Sequence, residues 1–500
     1  MRLNEAHRPC ACARTKAVRK EERFQFLGRG ARGESPLFKE GVPSRKRCAR
    51  IKAARKDKIL YTKARMVYTY PMDEFIREMR RRLGEEADEY IAALGMPPVK
   101  GLHVNTVKAE SGFDVMSLGI GAEALPYGGG MCYTVRGRGA TAHPYYAAGL
   151  YYMQEPTAML PLSYADIPEG AKVLDMCAAP GGKSCMAASR LGGGGLLVSN
   201  DADRQRAETL RDNIVTAGYT DVLVTCMRAE RLPEVFGGVF DVVIADAPCS
   251  GEGMMRKEPQ AAFDWSPANI SACAERQKRI LLAADKCLKE GGLLVYSTCT
   301  FSREEDEDNA RFMIERGYEE VTVNDPYIDA ARCETGYKFY PHRYTGEGQY
   351  FCLLRKTTAG APAVRHKRLS AAGNSDVKKL SDVLDISGLQ IARSGDILFS
   401  PALDADLPCL MNGVMLASVE KDGRLTFAHQ AATAFGGRFR AREELTLGDE
   451  RIAAYLRGEE IDGDAKGWCA VCADGYSLGL GKGSGGRIKN KYPARLRTKR

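Results

Sequence analysis

The sequence predicts an α/β protein built on a doubly wound, mostly parallel sheet, with a small N-terminal α/β domain and smaller α+β modules behind it. Two observations carry that prediction. From 151 to 356 short apolar runs alternate with helical stretches, which is the order of a parallel sheet with helices on both faces. The ends of these runs are polar: Asp175, Asp201, Asp246 and Cys299 each sit where a strand gives way to a loop. In sheets of this kind ligands bind at the carboxyl ends of the strands.

The elements follow in chain order. Residues 1–66 show no apolar period and are rich in Arg and Lys. They read as a disordered extension, as a basic arm that folds on nucleic acid, or as a leader before a start at Met66 or Met72; the residues do not decide. An N-terminal domain is expected over 67–150. Phe75, Met79, Leu83, Ala87 and Ile91 recur about every four residues and predict one amphipathic helix over 72–94. The stretch GLHVNTVK, 101–108, alternates like a strand. The main domain is expected over 151–357. Its strands are predicted at 173–175, 196–198, 222–224, 240–248, 291–299 and 349–356, and its helices at about 204–217 and 269–289. A linker is expected over 358–376, then one module over 377–436 and a last one over 437–500.

Composition narrows the function. Hydrophobic residues make up 44% of the 500 and charged residues 27%, as in a soluble globular protein. No apolar stretch approaches the roughly 20 residues that span a bilayer. The net charge of +9 is concentrated in the first 66 residues, with 20 Lys/Arg against 6 Asp/Glu; the rest holds 53 against 58. A second basic block closes the chain: Lys482, Arg487, Lys489, Lys491, Arg495, Arg497, Lys499 and Arg500, with no acid among the last twenty residues. Basic ends of this kind point to nucleic acid or to solvated tails. Sixteen cysteines in a long chain without an apolar signal core indicate reduced thiols and a cytoplasmic protein. Cys469 and Cys472 form a lone C-x-x-C without a partner pair or a nearby His, so they read as sheet-core residues and no metal site is assigned.

Three motifs carry chemistry. DMCAAPGGK, 175–183, joins the first strand to a helix. Its glycines let backbone N–H groups approach a ligand, and the helix start favours an anion. It lacks the spacing of a P-loop, and no G-x-G-x-x-G follows the strand, which argues against a nicotinamide-dependent dehydrogenase. Asp201, at the end of the next strand, is placed to hold a ribose diol; Asp203 reads as a helix-start residue. DAPCSGEGMMRK, 246–257, and STCT, 297–300, put Asp246, Cys249 and Cys299 after two long strands. A single strand-end cysteine is usually a small core residue. Two in polar loops beside a nucleotide loop suit thiolate attack on an electron-poor ring carbon, with a carboxyl group to hydrogen-bond or donate a proton. The acidic run Glu304–Asp308 reads as a helix start complementing its dipole, with one glutamate available to substrate. Trp265 reads as a packed turn anchor, with base stacking as the rival role.

These motifs resemble the Sun-type (Nol–Nop–Sun) RNA cytosine-5 methyltransferases over roughly 72–500, DAPCSGEG and STCT being the most specific. YLRGEE, 455–460, and the stretch 467–497 resemble the tail of the bacterial RsmF-type branch, which ends in a PUA-like RNA-binding module. The resemblance implies a Rossmann-like methyltransferase sheet, S-adenosylmethionine as donor, and RNA as partner, small-subunit ribosomal RNA first, with the chain acting as a monomer. It implies a donor loop of Cys177, Ala178, Ala179, Pro180, Gly181, Gly182 and Lys183, with Asp201 on the ribose. It implies Cys299 as nucleophile, Cys249 as the cysteine that helps release product, and Asp246 on the cytosine beside the donor. GLHVNTVK resembles an RNA-contact motif with His103 where Arg is usual. TCMRAE, 225–230, departs from the acid or amide expected to hold adenine, leaving Glu230 or backbone atoms for that task. The alternatives are the same reaction on transfer RNA and a non-catalytic ribosome-assembly factor.

Overall fold

The computed structural model describes residues 72–498; the basic stretch 1–66 and the pair Lys499 and Arg500 lie outside the described residues. The single helix expected over 72–94 is two, α1 (Met72–Leu83) and α2 (Ala87–Leu94), separated by one 3-10 turn. Gly84 opens that turn at φ +57°, a conformation that costs little without a Cβ. The tighter turn rotates the second half. Tyr90 and Leu94 therefore point inward with Phe75 and Met79, and Ile91 is only half-buried.

Four antiparallel strands follow: β1 (Gly101–Val104), β2 (Ala122–Ala124), β3 (Cys132–Val135) and β4 (Tyr151–Met153), in the order β2-β3-β1-β4. The strand expected over 101–108 stops at Val104. Asn105 turns the chain, its side chain donating to Gly149 O and Ala217 O at 2.9 Å each while its own carbonyl accepts from Lys108 N and Ala109 N.

The central domain contains α3 (Pro156–Tyr164), β5 (Lys172–Asp175), α4 (Gly182–Arg190), β6 (Leu196–Asn200), α5 (Arg204–Ala217), β7 (Val222–Thr225), β8 (Phe240–Asp246), α6 (Pro267–Cys287), β9 (Leu288–Thr298), α7 (Glu307–Ile314), β10 (Tyr318–Glu320), β11 (Tyr337–Phe339) and β12 (Gln349–Lys356). Strands β9-β8-β5-β6-β7 run parallel in that order; β12 joins β9 antiparallel and itself carries β10 and β11. Period-two alternation splits each strand between two cores. Val173, Leu197, Val242, Ile244 and Val295 face one; Leu174, Val198, Leu223, Val243 and Leu294 face the other. Burial on both faces explains the unbroken apolar runs of the sequence. Chain direction across the sheet reverses between β5 and β8, so the loops after these two strands open a crevice.

Beyond β12 the chain runs extended over the central domain, with His366 Nε2 2.8 Å from Val235 O, before α8 (Asn374–Ser381). Strands β13 (Ala392–Ser394), β14 (Ile397–Ser400), β15 (Met411–Asn412), β16 (Val414–Val419) and β17 (Leu425–Phe427) follow, then α9 (His429–Phe435). Strand β15 adds to the outer edge of β7, and the other four form their own sheet. The last sheet has β18 (Arg442–Leu445), then α10 (Glu450–Arg457), β19 (Ile461–Asp462), β20 (Gly467–Ala473), β21 (Tyr476–Ser484) and β22 (Arg487–Asn490), in the order β18-β20-β21-β22-β19. Its Cys469, Val471 and Ile488 share one core with Leu102, Val115 and Leu150 of the N-terminal region. Cys469 and Cys472 are both buried in β20, one in each of the two cores that this strand separates. Among the described residues no helix is long and apolar enough to cross a membrane.

Candidate active site

The loop after β5 enters the crevice first. The Ala179–Pro180 peptide is cis, and Gly181, at φ +118°, caps α4. A Cβ on Gly182 would lie 2.8 Å from the Gln154 side chain, whose amide would have to swing away from Ala158 O. Asp175 is fully buried beneath it; Ser184 donates to its Oδ2 at 2.8 Å while Oδ1 has no partner. Burial raises its pKa to about 7, with Ser184 opposing and the Asp246 charge adding to the rise. Burial also pushes the Cys177 thiol up.

Asp201 follows β6 as the sequence places it. Its carboxylate accepts from Ala179 N at 3.3 Å and Asp203 N at 3.0 Å, and Arg206 stands 3.3 Å away. Arg206 also donates to Ala179 O at 2.7 Å, which ties the acid to the loop it faces. A carboxylate has about four acceptor sites, so capacity remains for a diol. Asp203 caps α5 by accepting from Arg206 N. In the departing stretch after β7, Asn200 holds both the N–H and the carbonyl of Met227 at 3.0 Å. Glu230 is exposed and lies 3.6 Å from Arg279.

Asp246 ends β8 and is the hub of the polar floor. Lys183 Nζ lies 2.9 Å from Oδ2; Ser297 Oγ and Gln349 Nε2 donate to Oδ1 at 2.7 and 3.2 Å. Three residues on, Cys249 Sγ meets Cys299 Sγ at 3.1 Å. The Cys299 thiol beside it, and then burial, raise the Cys249 pKa well above its ordinary value. The fold therefore gathers Asp246, Cys249, Cys299 and Lys183 at the carboxyl ends of β5, β8 and β9.

Two expectations hold with a refinement. The acidic run Glu304–Asp308 leads into a helix, Glu307 and Asp308 lying in the first turn of α7. Glu304 is exposed, but Glu305, Asp306 and Glu307 are buried, and Lys338 lies 3.3 Å from Asp306 and 2.7 Å from Glu307. Trp265 is an anchor and not a stacking platform: it is buried edge-on to Phe75 and donates to Glu252 at 2.8 Å. Ser297, Gln349, Glu252 and Glu305 are site-shaping residues that motif reading misses. For Ser297 a signal existed, since it pairs with Asp246 in the β8–β9 register. His103 is buried, stacked on Tyr152, and both of its ring nitrogens lack a partner. Burial lowers its pKa to about 4, so it brings no cation to RNA at neutral pH.

A parallel sheet with a glycine loop after its first strand, an acid after its second and another acid after β8 suits a nucleotide-like cofactor, and family matches make it an S-adenosylmethionine-dependent methyltransferase. Three family models match the chain: the N-terminal domain of 16S rRNA methyltransferase RsmF over 72–156, 16S rRNA methyltransferase RsmB/F over 164–355, and the methyltransferase RsmF PUA domain over 442–498. The ribosomal RNA small subunit methyltransferase F of Klebsiella pneumoniae is 30% identical over 470 residues, 85% of this chain and 96% of that one. Its counterpart from Psychromonas ingrahamii is 31% identical over 381 residues, 70% and 79% of the two chains. The crystal structure of PH0851 superimposes with a TM-score of 0.54 at 25% identity, covering 60% of this chain and 71% of that one. The chain belongs to the RsmF branch of the RsmB/F ribosomal RNA methyltransferases.

The residues present fit the donor. The loop Cys177–Lys183 leads into the start of α4, and Asp201, which accepts from Ala179 N of that loop, retains acceptor capacity for a diol.

Proposed function

We propose that this chain methylates carbon 5 of a cytosine in small-subunit ribosomal RNA, in the cytoplasm, through a covalent adduct with Cys299. The observation that carries this reading is the pair of thiols 3.1 Å apart at two neighbouring strand ends beside Asp246. Cys177–Lys183 and Asp201 hold the donor, which supplies an electrophilic methyl group on its sulfonium when bound. The cytosine leaves its stack to reach the crevice, at a cost of about a few kcal/mol. The Cys299 thiolate adds to carbon 6, and the electron pair released from the 5,6 double bond makes carbon 5 nucleophilic. Asp246 accepts from the exocyclic amino group of the cytosine beside N3 and so orients the ring, and the Lys183 cation on its other oxygen offsets the negative charge that builds on the ring. Carbon 5 takes the methyl group, a base removes its proton, and the bond from carbon 6 to Cys299 breaks. Cys249, held as a thiol by its neighbour and by burial, assists that last step. Bisulfite mapping of ribosomal and transfer RNA with and without this gene tests the assignment. One small-subunit cytosine should lose protection; loss confined to transfer RNA would move the substrate, and no loss would overturn the reaction.

Asp201→Ala should raise the Kd for S-adenosylmethionine at least about tenfold, because each charge-assisted bond to a ribose hydroxyl contributes about 1.5–3 kcal/mol. RNA affinity should stay within twofold, roughly the scatter expected away from a contact. Calorimetry showing unchanged donor affinity would reject the ribose role.

The last sheet presents a basic face. Lys482 and Lys491 lie 4.9 and 5.7 Å from the centre of the Trp468 ring, and Lys489 pairs with Lys482 across β21 and β22. Since this sheet shares its core with the N-terminal region, point changes test it more cleanly than truncation. The triple variant Lys482→Ala, Lys489→Ala, Lys491→Ala should bind RNA more weakly and flatten the dependence of log Kd on log salt by about 2, at about 0.7–0.9 per phosphate contact. An unchanged slope would assign RNA recognition elsewhere.

A further inference from the structure

The two cysteine loops hold each other through a pair of buried carboxylates. Glu252, three residues after Cys249, accepts from the backbone N–H of Phe301, two residues after Cys299, at 3.0 Å. Glu305, six residues after Cys299, accepts from the backbone N–H of Ser250, next to Cys249, at 2.9 Å. Each loop thus supplies the acid that binds the other loop's backbone. Between them Gly253 N donates to Cys299 O at 2.9 Å, and the Ser250 and Thr300 hydroxyls meet at 2.8 Å. Both carboxylates are fully buried, where an unsatisfied charge is costly, and both are saturated. Glu305 also accepts from Ser250 Oγ, from Gln277 Nε2 at 2.8 Å and from Ser302 Oγ at 3.0 Å; none of its donors is a cation. Glu252 accepts from Trp265 Nε1 at 2.8 Å and from Arg82 Nη1 at 3.0 and 3.1 Å. Neither acid faces the crevice, so neither is a catalytic residue.

We infer that Glu305 and Glu252 are positioning residues whose reciprocal bonds set the spacing of the Cys249 and Cys299 thiols, and so the rate at which the RNA adduct is resolved. This rests on the covalent reading above. The reason for two clasps is mechanical. The loop after β8 contains Gly251 and Gly253, and a loop of that kind drifts unless fixed at both flanks of its functional residue. Ser250 is fixed by Glu305 and Gly253 by Cys299 O, with Cys249 next to the first of these points. Arg82 extends the clasp to α1, so the N-terminal helices seat the same loop.

Glu305→Gln separates positioning from scaffolding. The amide is nearly isosteric, but its NH₂ group either faces Ser250 N–H and Gln277 Nε2–H or must turn the Ser250 and Ser302 hydroxyls from donors into acceptors, and in both orientations the charge-assisted bonds to Ser250 are lost. The kcat should fall on the order of 10²-fold, the cost of about 1 Å of misplacement, with the KM for donor and RNA within about twofold. Methylated RNA should remain attached to protein on a denaturing gel, because attack by Cys299 survives and its release is slowed. A second readout needs no turnover: diamide, which oxidises two adjacent thiols to a disulfide as it is itself reduced to the hydrazine, should join Cys249 to Cys299 more slowly in the variant, as peptide mass spectrometry measures. Should Glu305→Gln fail to fold, Ser250→Ala removes one hydroxyl from the same clasp and should shift both readouts the same way by a smaller factor. Wild-type kcat and wild-type diamide rate in the folded variant would overturn the inference. An absence of adduct even in Cys249→Ala would instead overturn the covalent reading.

Discussion

Cys299→Ala should abolish methyl transfer while both ligands still bind. Loss of a nucleophile that forms a covalent intermediate typically costs at least on the order of 10⁴ in kcat. The effect is large because nothing nearby can take over. Cys249 lies 3.1 Å away, but its neighbour and burial raise its pKa and its loop is clamped by Glu305. Binding should survive, since the proposed donor contacts, Cys177–Lys183 and Asp201, do not include Cys299, and the proposed basic RNA face lies on the last sheet. Single-turnover assays with labelled donor, together with RNA affinity by filter binding, check both halves. Measurable methylation at more than about one per cent of the wild-type rate, far above the residue left after nucleophile loss, would remove Cys299 from the mechanism.

Cys249→Ala should fail differently. Attack and methyl transfer need only Cys299, so the variant should load itself with RNA and stop. Turnover should fall by about 10²-fold or more, the range for losing a proton-transfer group, and a slow-migrating protein–RNA species should accumulate in the presence of donor. The double variant with Cys299→Ala should lose that species. A Cys249→Ala enzyme that stalls without the species would mean that Cys249 acts before, not after, attack.

The sheet was readable because its strands are apolar at successive positions and end in acids; β5 to β9 and the helix from 204 to 217 lie where those runs place them. The convergence of the Cys177–Lys183 loop, Asp201, Asp246 and both cysteines was readable because each sits in a short polar motif at the end of an apolar run. The rest was hidden for definite reasons. The break at Gly84 needs one positive φ in an otherwise periodic stretch. The end of β1 is set by Asn105 reaching carbonyls 44 and 112 residues away. Glu305 looked like one acid among several at a helix start; its task appears only when Ser250 and Gln277 are brought against it from other elements. The joint core of the last sheet and the N-terminal region leaves no local trace, because each half reads as an ordinary amphipathic surface.

The most direct test of the mechanism is tandem mass spectrometry of the RNA adduct formed by Cys249→Ala with S-adenosylmethionine and small-subunit ribosomal RNA. After nuclease and protease digestion, a methylated cytidine should be found bonded through sulfur to Cys299, in the peptide that contains Ser297 and Thr298. A cytidine attached to any other residue, or no nucleotide attached at all, would contradict the covalent role of Cys299.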